Sequence, residues 1–316
     1  MTTGLFSHQS FESHVTGFGH PESPNRIRAV QKVLSTKKFD VLQRYVAPPA
    51  TISQLSLVHD VSYIRNILSL IPTKGLERID SDTILSPNSG EPLKRAAGAV
   101  VAAVDSVLGG DCGNAFCAVR PPGHHAEKYN AMGFCYFNNA AIGARYAQFK
   151  HGLKKVAVVD FDVHHGNGTQ AAFWNDPSVF YASSHQFPLF PGTGAEHETG
   201  VGNIFNLPLH SNTTSRVFRD GWEARIFPAL KSFTPELIII SAGFDAHYRD
   251  PLASLNLEED DFAWITERLL NIANEHCAGR VVSTLEGGYD LDALQESVSV
   301  HVSELMRAGT ANSSEF

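Results

Sequence analysis

Cysteine, methionine and tryptophan are scarce in this chain of 316 residues, with four, three and three copies. The four cysteines, Cys112, Cys117, Cys135 and Cys277, form no CxxC pair. They exclude a disulfide framework and read as buried thiols in a reducing compartment. No Lys/Arg run exceeds two residues, and 25 basic against 33 acidic side chains leave a net charge of −8. A chain this acidic, without a cationic cluster, has little with which to grip a phosphate backbone, so nucleic acid is not an expected partner. Long apolar runs are also missing. The longest, residues 96–104, falls far short of the roughly 20 residues a bilayer span needs. The opening MTTGLFSHQSFESH carries neither a basic leader nor an apolar segment. A soluble cytoplasmic protein with no membrane contact is the expectation. Signatures of other chemistries are absent too: the sequence contains no GxxxxGK[ST], no GxGxxG after a strand and no GxSxG.

What is present is ordinary globular composition, 43% apolar and 18% charged, long enough to bury a sizeable core. No repeat or linker divides it, which predicts one domain over residues 1–308 and a frayed tail over 309–316. Ser23 followed by Pro24 opens a helix whose inner face is Ile27, Val30 and Leu34. Acidic residues at 258–261 open another, continued by Phe262, Ile265, Leu269 and Ile272. Short runs of apolar residues at 115–119, 156–159, 179–182, 237–240 and 281–285 are separated by helix-length segments. Such runs predict a parallel sheet covered on both faces. Four polar clusters follow those runs: RPPGHH at 120–125, DFDVHHGNG at 160–168, SAGFDAH at 241–247 and EGGYD at 286–290. Ligand crevices of open parallel sheets lie beyond the strands' carboxyl ends, so the four clusters should converge on one site.

Asp160, Asp162 and His164 alternate with period two as their strand runs out, so all three could point the same way. Asp and His suit a divalent first-row metal, and Asp245 would complete a tripod with an open position for water or substrate. The plainer alternative makes the two aspartates helix caps and His164 a loop histidine. Convergence of the other clusters favours the metal. His124 and His125, fixed behind Pro121, Pro122 and Gly123, are placed for proton transfer. Gly287 and Gly288 suggest a mobile turn able to swing the Tyr289 phenol over the site, where it could stabilise an oxyanion. Cys135 has no partner signal for a thiol nucleophile and reads as core.

These residues resemble the metal-dependent histone deacetylase family. The resemblance rests on HPESPNRIRAV (20–30), RPPGHHA (120–126), GFCYFNNAAIGA (133–144), DFDVHHGNGTQ (160–170), FPGTG (190–194), SAGFDAH with DPL (241–252) and LEGGYD (285–290). It covers roughly residues 7–294 in order, and HHGNG and LEGGY are more similar to the class II branch and its bacterial amidohydrolase relatives. The resemblance implies the α/β arginase/deacetylase fold, a single eight-stranded parallel sheet between helical layers. It implies hydrolysis of an N-acetyl-lysine amide. It makes Asp162, His164 and Asp245 the ligands of zinc (ferrous iron would accept the same set), His124 and His125 the catalytic pair, and Tyr289 the oxyanion donor. Gly133, Phe134 and Phe190 become tunnel walls and Leu252 a residue of the tunnel mouth. A structural potassium ion would sit by Asp160, Asp162, His164 and Ser183.

The family pattern also gives His124 a carboxylate partner, Asp160, and His125 the neutral Asn167. A carboxylate raises the basicity of its imidazole whereas an amide only orients it, so His125 is the expected general base. Arginase-type two-metal sites need carboxylates where this chain has Gly166 and His247, which favours a single metal. The expected partner is an acetylated lysine in a peptide or protein. A small acetylated amine such as an acetylpolyamine is the alternative, and a non-catalytic acyl-lysine binder a weaker one. Leu252, apolar where polyamine deacetylases of this branch carry glutamate, favours the peptide. Nothing in the sequence specifies an oligomeric state.

Overall fold

Residues 2–311 are described by a computed structural model. Its main sheet has eight strands, all parallel: β1 (Thr3–Ser7), β2 (Gln43–Val46), β5 (Asn114–Cys117), β6 (Val156–Asp160), β7 (Val179–Gln186), β8 (Ile204–Leu209), β9 (Leu237–Ala242) and β10 (Val281–Leu285). A short antiparallel hairpin, β3 (Glu77–Arg78) with β4 (Ile84–Leu85), lies outside it. The order β2-β1-β5-β10-β9-β6-β7-β8 puts β5, β10, β9 and β6 side by side at the centre. Every residue of those four strands is buried, which is why they read as continuous apolar runs. Helices Gly90–Gly109 and Asn139–His151 pack together against the sheet. A second group, Pro24–Leu34, Glu259–Cys277 and Leu291–Ala311, packs likewise. The expected single sheet between helical layers is what the chain forms.

Register aligns the working ends. Thr284 pairs with Cys117 and Ser241, Leu285 with Ala242, and Asp160 with both Ser241 and Ser183. The segments after β5, β6, β9 and β10 therefore leave from one edge.

Three strands lie outside the five runs. β2 is a mostly exposed edge of polar residues, β1 is short with Gly4 inside, and β8 contains Pro208, tolerated on the opposite edge. Strand β7 runs to Gln186, beyond the predicted end at Ala182, because its polar residues are buried and its backbone stays paired with β8 as far as Leu209. His185 bridges Ser183 Oγ at 2.9 Å and the Gly194 carbonyl at 2.8 Å. The last helix continues to Ala311, three residues into the predicted tail, and 312–316 lie outside the described residues. Among the described residues no helix is long and apolar enough to cross a membrane. All four cysteines are free and buried, as expected.

Candidate active site

β6 ends at Asp160, and the chain then bends so that Asp162 and His164 face Asp245 from the segment after β9. Ligand atoms of these three buried residues all lie within 4.8 Å of one another. His164 Nδ1 is 3.2 Å from Asp162 Oδ1 and 3.1 Å from Asp245 Oδ2. The carboxylates are held from behind: Asp162 Oδ2 accepts from Gly287 N at 2.8 Å and Asp245 Oδ1 from Val163 N at 2.8 Å. A Cβ on Gly287 would lie 2.0 Å from Asp245 Oδ2, and one on Gly243 2.0 Å from Asp162 Oδ2, so only glycine allows this approach. Two buried carboxylates and one imidazole converging on one point form a donor set that fits a divalent cation.

Asp160 does not join them, contrary to the period-two expectation that all three side chains face one way. The strand's alternation stops at its end, and Asp160 Oδ2 sits 3.0 Å from His124 Nδ1 while Oδ1 accepts from Asp162 N at 3.1 Å. Tyr181 Oη also reaches Asp160 Oδ2, at 3.3 Å. Burial alone would lower His124, but the carboxylates of Asp162 and Asp160 outweigh it and raise the imidazole to about 10. Its neighbour is the opposite case. His125 Nδ1 lies 2.9 Å from Asn167 Oδ1, and burial, reinforced by His124 and His164, pushes His125 well below its usual value. The rings sit 4.0 Å apart, one inclined to be cationic and the other neutral.

The turn carrying Tyr289 is pinned, which corrects the expectation of a mobile turn. Arg26, fully buried, donates from Nε to the Gly288 carbonyl at 2.6 Å and from Nη2 to the Glu286 carbonyl at 2.5 Å. Asp250 Oδ2 accepts from Tyr289 N at 2.7 Å. Arg26 and Arg120 converge on buried Glu22, at 3.2 and 2.5 Å. Glu286 in turn accepts from Gly123 N at 2.6 Å and His124 N at 3.2 Å, tying the histidine loop to the tyrosine turn. Burial pushes the Tyr289 phenol well above its ordinary range, so it stays a hydrogen-bond donor.

Above this floor is a cavity of about 240 Å³ lined by His125, Gly133, Phe134, His164, Leu189, Phe190, Leu252, Tyr289 and Asp82. All four expected lining residues are therefore together. Phe190 meets His125 edge-on at 5.1 Å and Phe134 meets Tyr289 at 5.8 Å. Gly133 (φ +56°) lies between, where a Cβ would strike His125 Cδ2 at 2.5 Å and Phe190 Cε1 at 2.9 Å. Ser183 lies beside Asp160 on the neighbouring strand, its hydroxyl engaged by His185.

Several contributors were not assigned roles from sequence: Glu22, Arg26, Arg120, Asp250, Glu286, Asp82, and Glu127, whose Oε1 accepts from Asn167 Nδ2 at 2.8 Å. Glu286 had a signal, being an acid inside a polar cluster at a strand end. Asp82 had none, since its hairpin is far away in sequence.

Fold and site together define an α/β domain with a candidate metal centre beside a histidine pair, and comparison gives its family. A histone deacetylase domain matches residues 20–305, and the chain belongs to that family of amide-bond hydrolases. It is 41% identical over 301 residues to histone deacetylase 10, chloroplastic, of Oryza sativa subsp. japonica, covering 89% of this chain and 68% of that protein. It is 38% identical over 277 residues to the histone deacetylase-like amidohydrolase of Pseudomonas aeruginosa, covering 86% and 73%. The crystal structure of the HDA15 HD domain superposes with a TM-score of 0.92 at 32% identity, covering 97% of this chain and 90% of that one.

Proposed function

We propose that the chain hydrolyses the amide of N-acetyl-lysine in peptides or proteins, releasing acetate and a free amine. The observation that carries this reading is the buried cluster of Asp162, His164 and Asp245, whose His164 lines one cavity together with His125 and Tyr289. Asp162, His164 and Asp245 would hold the metal, zinc in our reading, with ferrous iron compatible with the same donors. When bound, such an ion supplies Lewis-acid polarisation of the carbonyl and lowers the pKa of water. A potassium ion beside Asp160, Asp162, His164 and Ser183 is part of the same reading, supported by the pairing of Asp160 with Ser183 across adjacent strands.

The protein's own groups divide the remaining work. His125, neutral and oriented by Asn167, takes the proton of the attacking water. His124, paired with the Asp160 carboxylate at 3.0 Å, is inclined toward the imidazolium and would add positive charge near the developing oxyanion. Tyr289 donates its phenolic proton in a hydrogen bond to that oxyanion. One of the histidines then returns a proton to the leaving amine. Gly133, Phe134 and Phe190 enclose the apolar lysine stem and exclude water.

A second reading, hydrolysis of a small acetylated amine, is favoured by Asp82, a carboxylate on the cavity wall that a distant ammonium could pair with. Leu252 favours the peptide. Acetate release from an acetyl-lysine peptide and from an acetylpolyamine, each with and without a chelator, tests the proposal. The expected result is chelator-sensitive turnover with higher kcat/KM on the peptide. Absence of turnover on both would refute the enzymatic reading, and preference for the polyamine would refute the substrate assignment.

A further inference from the structure

We infer that Glu127 is a positioning residue that selects the tautomer of His125, acting through Asn167. The inference rests on the reading of His125 as general base. Asn167 is a two-ended group: its Oδ1 lies 2.9 Å from His125 Nδ1, and its Nδ2 lies 2.8 Å from Glu127 Oε1. An amide can be turned end for end with almost no change in shape, so something must decide which end faces the histidine. A carboxylate has acceptors only, so the end facing Glu127 has to be the NH2. Met132 Sδ, at 3.4 Å from the same nitrogen, is also an acceptor. Oδ1 is thereby directed at His125, and an oxygen there can only accept. The proton of neutral His125 must sit on Nδ1, and Nε2 is left unprotonated as the basic nitrogen.

With Glu127 removed, the amide is free to turn. Nδ2 would then face His125 Nδ1, which would have to accept, and the proton would move to Nε2. A histidine in that tautomer cannot take a proton from water. Glu127 thus does for a neutral orienting amide what a carboxylate partner does directly for His124. It also explains why an amide is suited to position 167: an aspartate would set a second carboxylate against Glu127. Glu127 is half-buried, outside the cavity lining, and touches no group of the reaction.

The variants are Glu127→Gln, which can keep an acceptor toward Asn167, and Glu127→Leu, which cannot, with Glu127→Ala as a smaller second deletion. In the metal-loaded enzyme, Glu127→Gln should retain kcat within about twofold. Glu127→Leu and Glu127→Ala should lose roughly tenfold in kcat with KM little changed, the population shift that one charge-assisted hydrogen bond supports. Ring-15N histidine spectra of the zinc-loaded proteins, with the His125 signals identified from a His125→Ala sample, should show Nδ1–H in wild type and Glu127→Gln. The two deletions should show loss of that pattern. The spectra need no turnover, so an inactive wild type would refute the deacetylase reading while leaving this inference testable. An unchanged His125 tautomer in both deletions, or equal loss of kcat in Glu127→Gln, would overturn it.

Discussion

The guanidinium of Arg26 lies over the Tyr289 ring, 4.8 Å from its centroid, while its nitrogens hold the carbonyls of Gly288 and Glu286. One buried cation thus fixes both the ring and the backbone of the residue assigned to the oxyanion. Its charge is balanced by Glu22, which Arg120 also grips.

Arg26→Leu should therefore cost stability and activity together. Two carbonyls lose their donor and a buried ion-pair network loses a member, so a destabilisation of about 3 kcal/mol is expected by denaturant unfolding. Arg26→Lys keeps the charge toward Glu22 but cannot span both carbonyls. It should fold with normal metal content yet lose roughly tenfold in kcat. Full activity in Arg26→Lys would show that the clamp does not position Tyr289.

Tyr289→Phe removes only the donor. The phenol is held protonated by burial, and the ring's packing on Phe134 survives the change. Steady-state kinetics should show kcat lower by about 10²–10³ with little change in KM. A variant with wild-type kcat would reduce Tyr289 to a packing residue.

These two residues mark where the sequence stops being legible. Tyr289 can be picked out because it follows Gly287 and Gly288 at a strand end, next to polar clusters that a parallel sheet must gather. Arg26 cannot, because the two carbonyls it holds are 260 and 262 residues away and nothing local announces them. The same absence of a local signal made the glycine turn look mobile, whereas contacts from Arg26 and Asp250 hold it still. Asp162 and His164 were readable as one short segment. The orientation of Asp160 was not, since a strand's alternation fails at the residue where hydrogen bonding to its neighbours ends. In β7 the buried Ser183 and His185 look polar and loop-like by composition; backbone pairing with Asn206 and Pro208 of β8 makes them strand, and their mutual hydrogen bond satisfies the buried side chains.

Stability should fall on the acid side for a reason visible in the core. His301 is enclosed by Phe116, Phe161 and Phe244 and lies between Thr266 Oγ1 at 2.7 Å and Ser283 Oγ at 2.8 Å. Burial lowers it to about 3, and burial likewise leads in lowering His14 to about 3 and His59 and His185 to about 4. Each stays neutral when folded but takes up a proton near pH 6.5 when unfolded, so the unfolded state binds more protons below that pH. Unfolding free energy should be flat in this respect above about 6.5 and decline as pH falls toward 3. His301→Gln should show a shallower decline than wild type in denaturant titrations at a series of pH values. Equal slopes would mean that His301 is not neutral in the folded protein.

Leu252 makes the substrate question testable by a single change. It lines the cavity half-buried, and its backbone nitrogen is held by Asp250 Oδ1 at 3.0 Å. Leu252→Glu adds a second carboxylate to the wall that already holds Asp82. One well-placed charge contact is worth about 1.5–3 kcal/mol, so the ratio of kcat/KM should move toward acetylpolyamines by roughly 10- to 100-fold. An unchanged ratio would show that residue 252 does not meet the substrate.

Metal analysis of purified wild type beside Asp245→Ala tests most directly the proposal that Asp162, His164 and Asp245 act as a single metal site. Asp245 comes from a different strand end than the other two, so its loss leaves only a two-ligand remnant. One tightly held equivalent of divalent metal per chain is expected in wild type, with most of it lost and acetate release nearly abolished in Asp245→Ala. Full metal occupancy in Asp245→Ala would contradict the proposal.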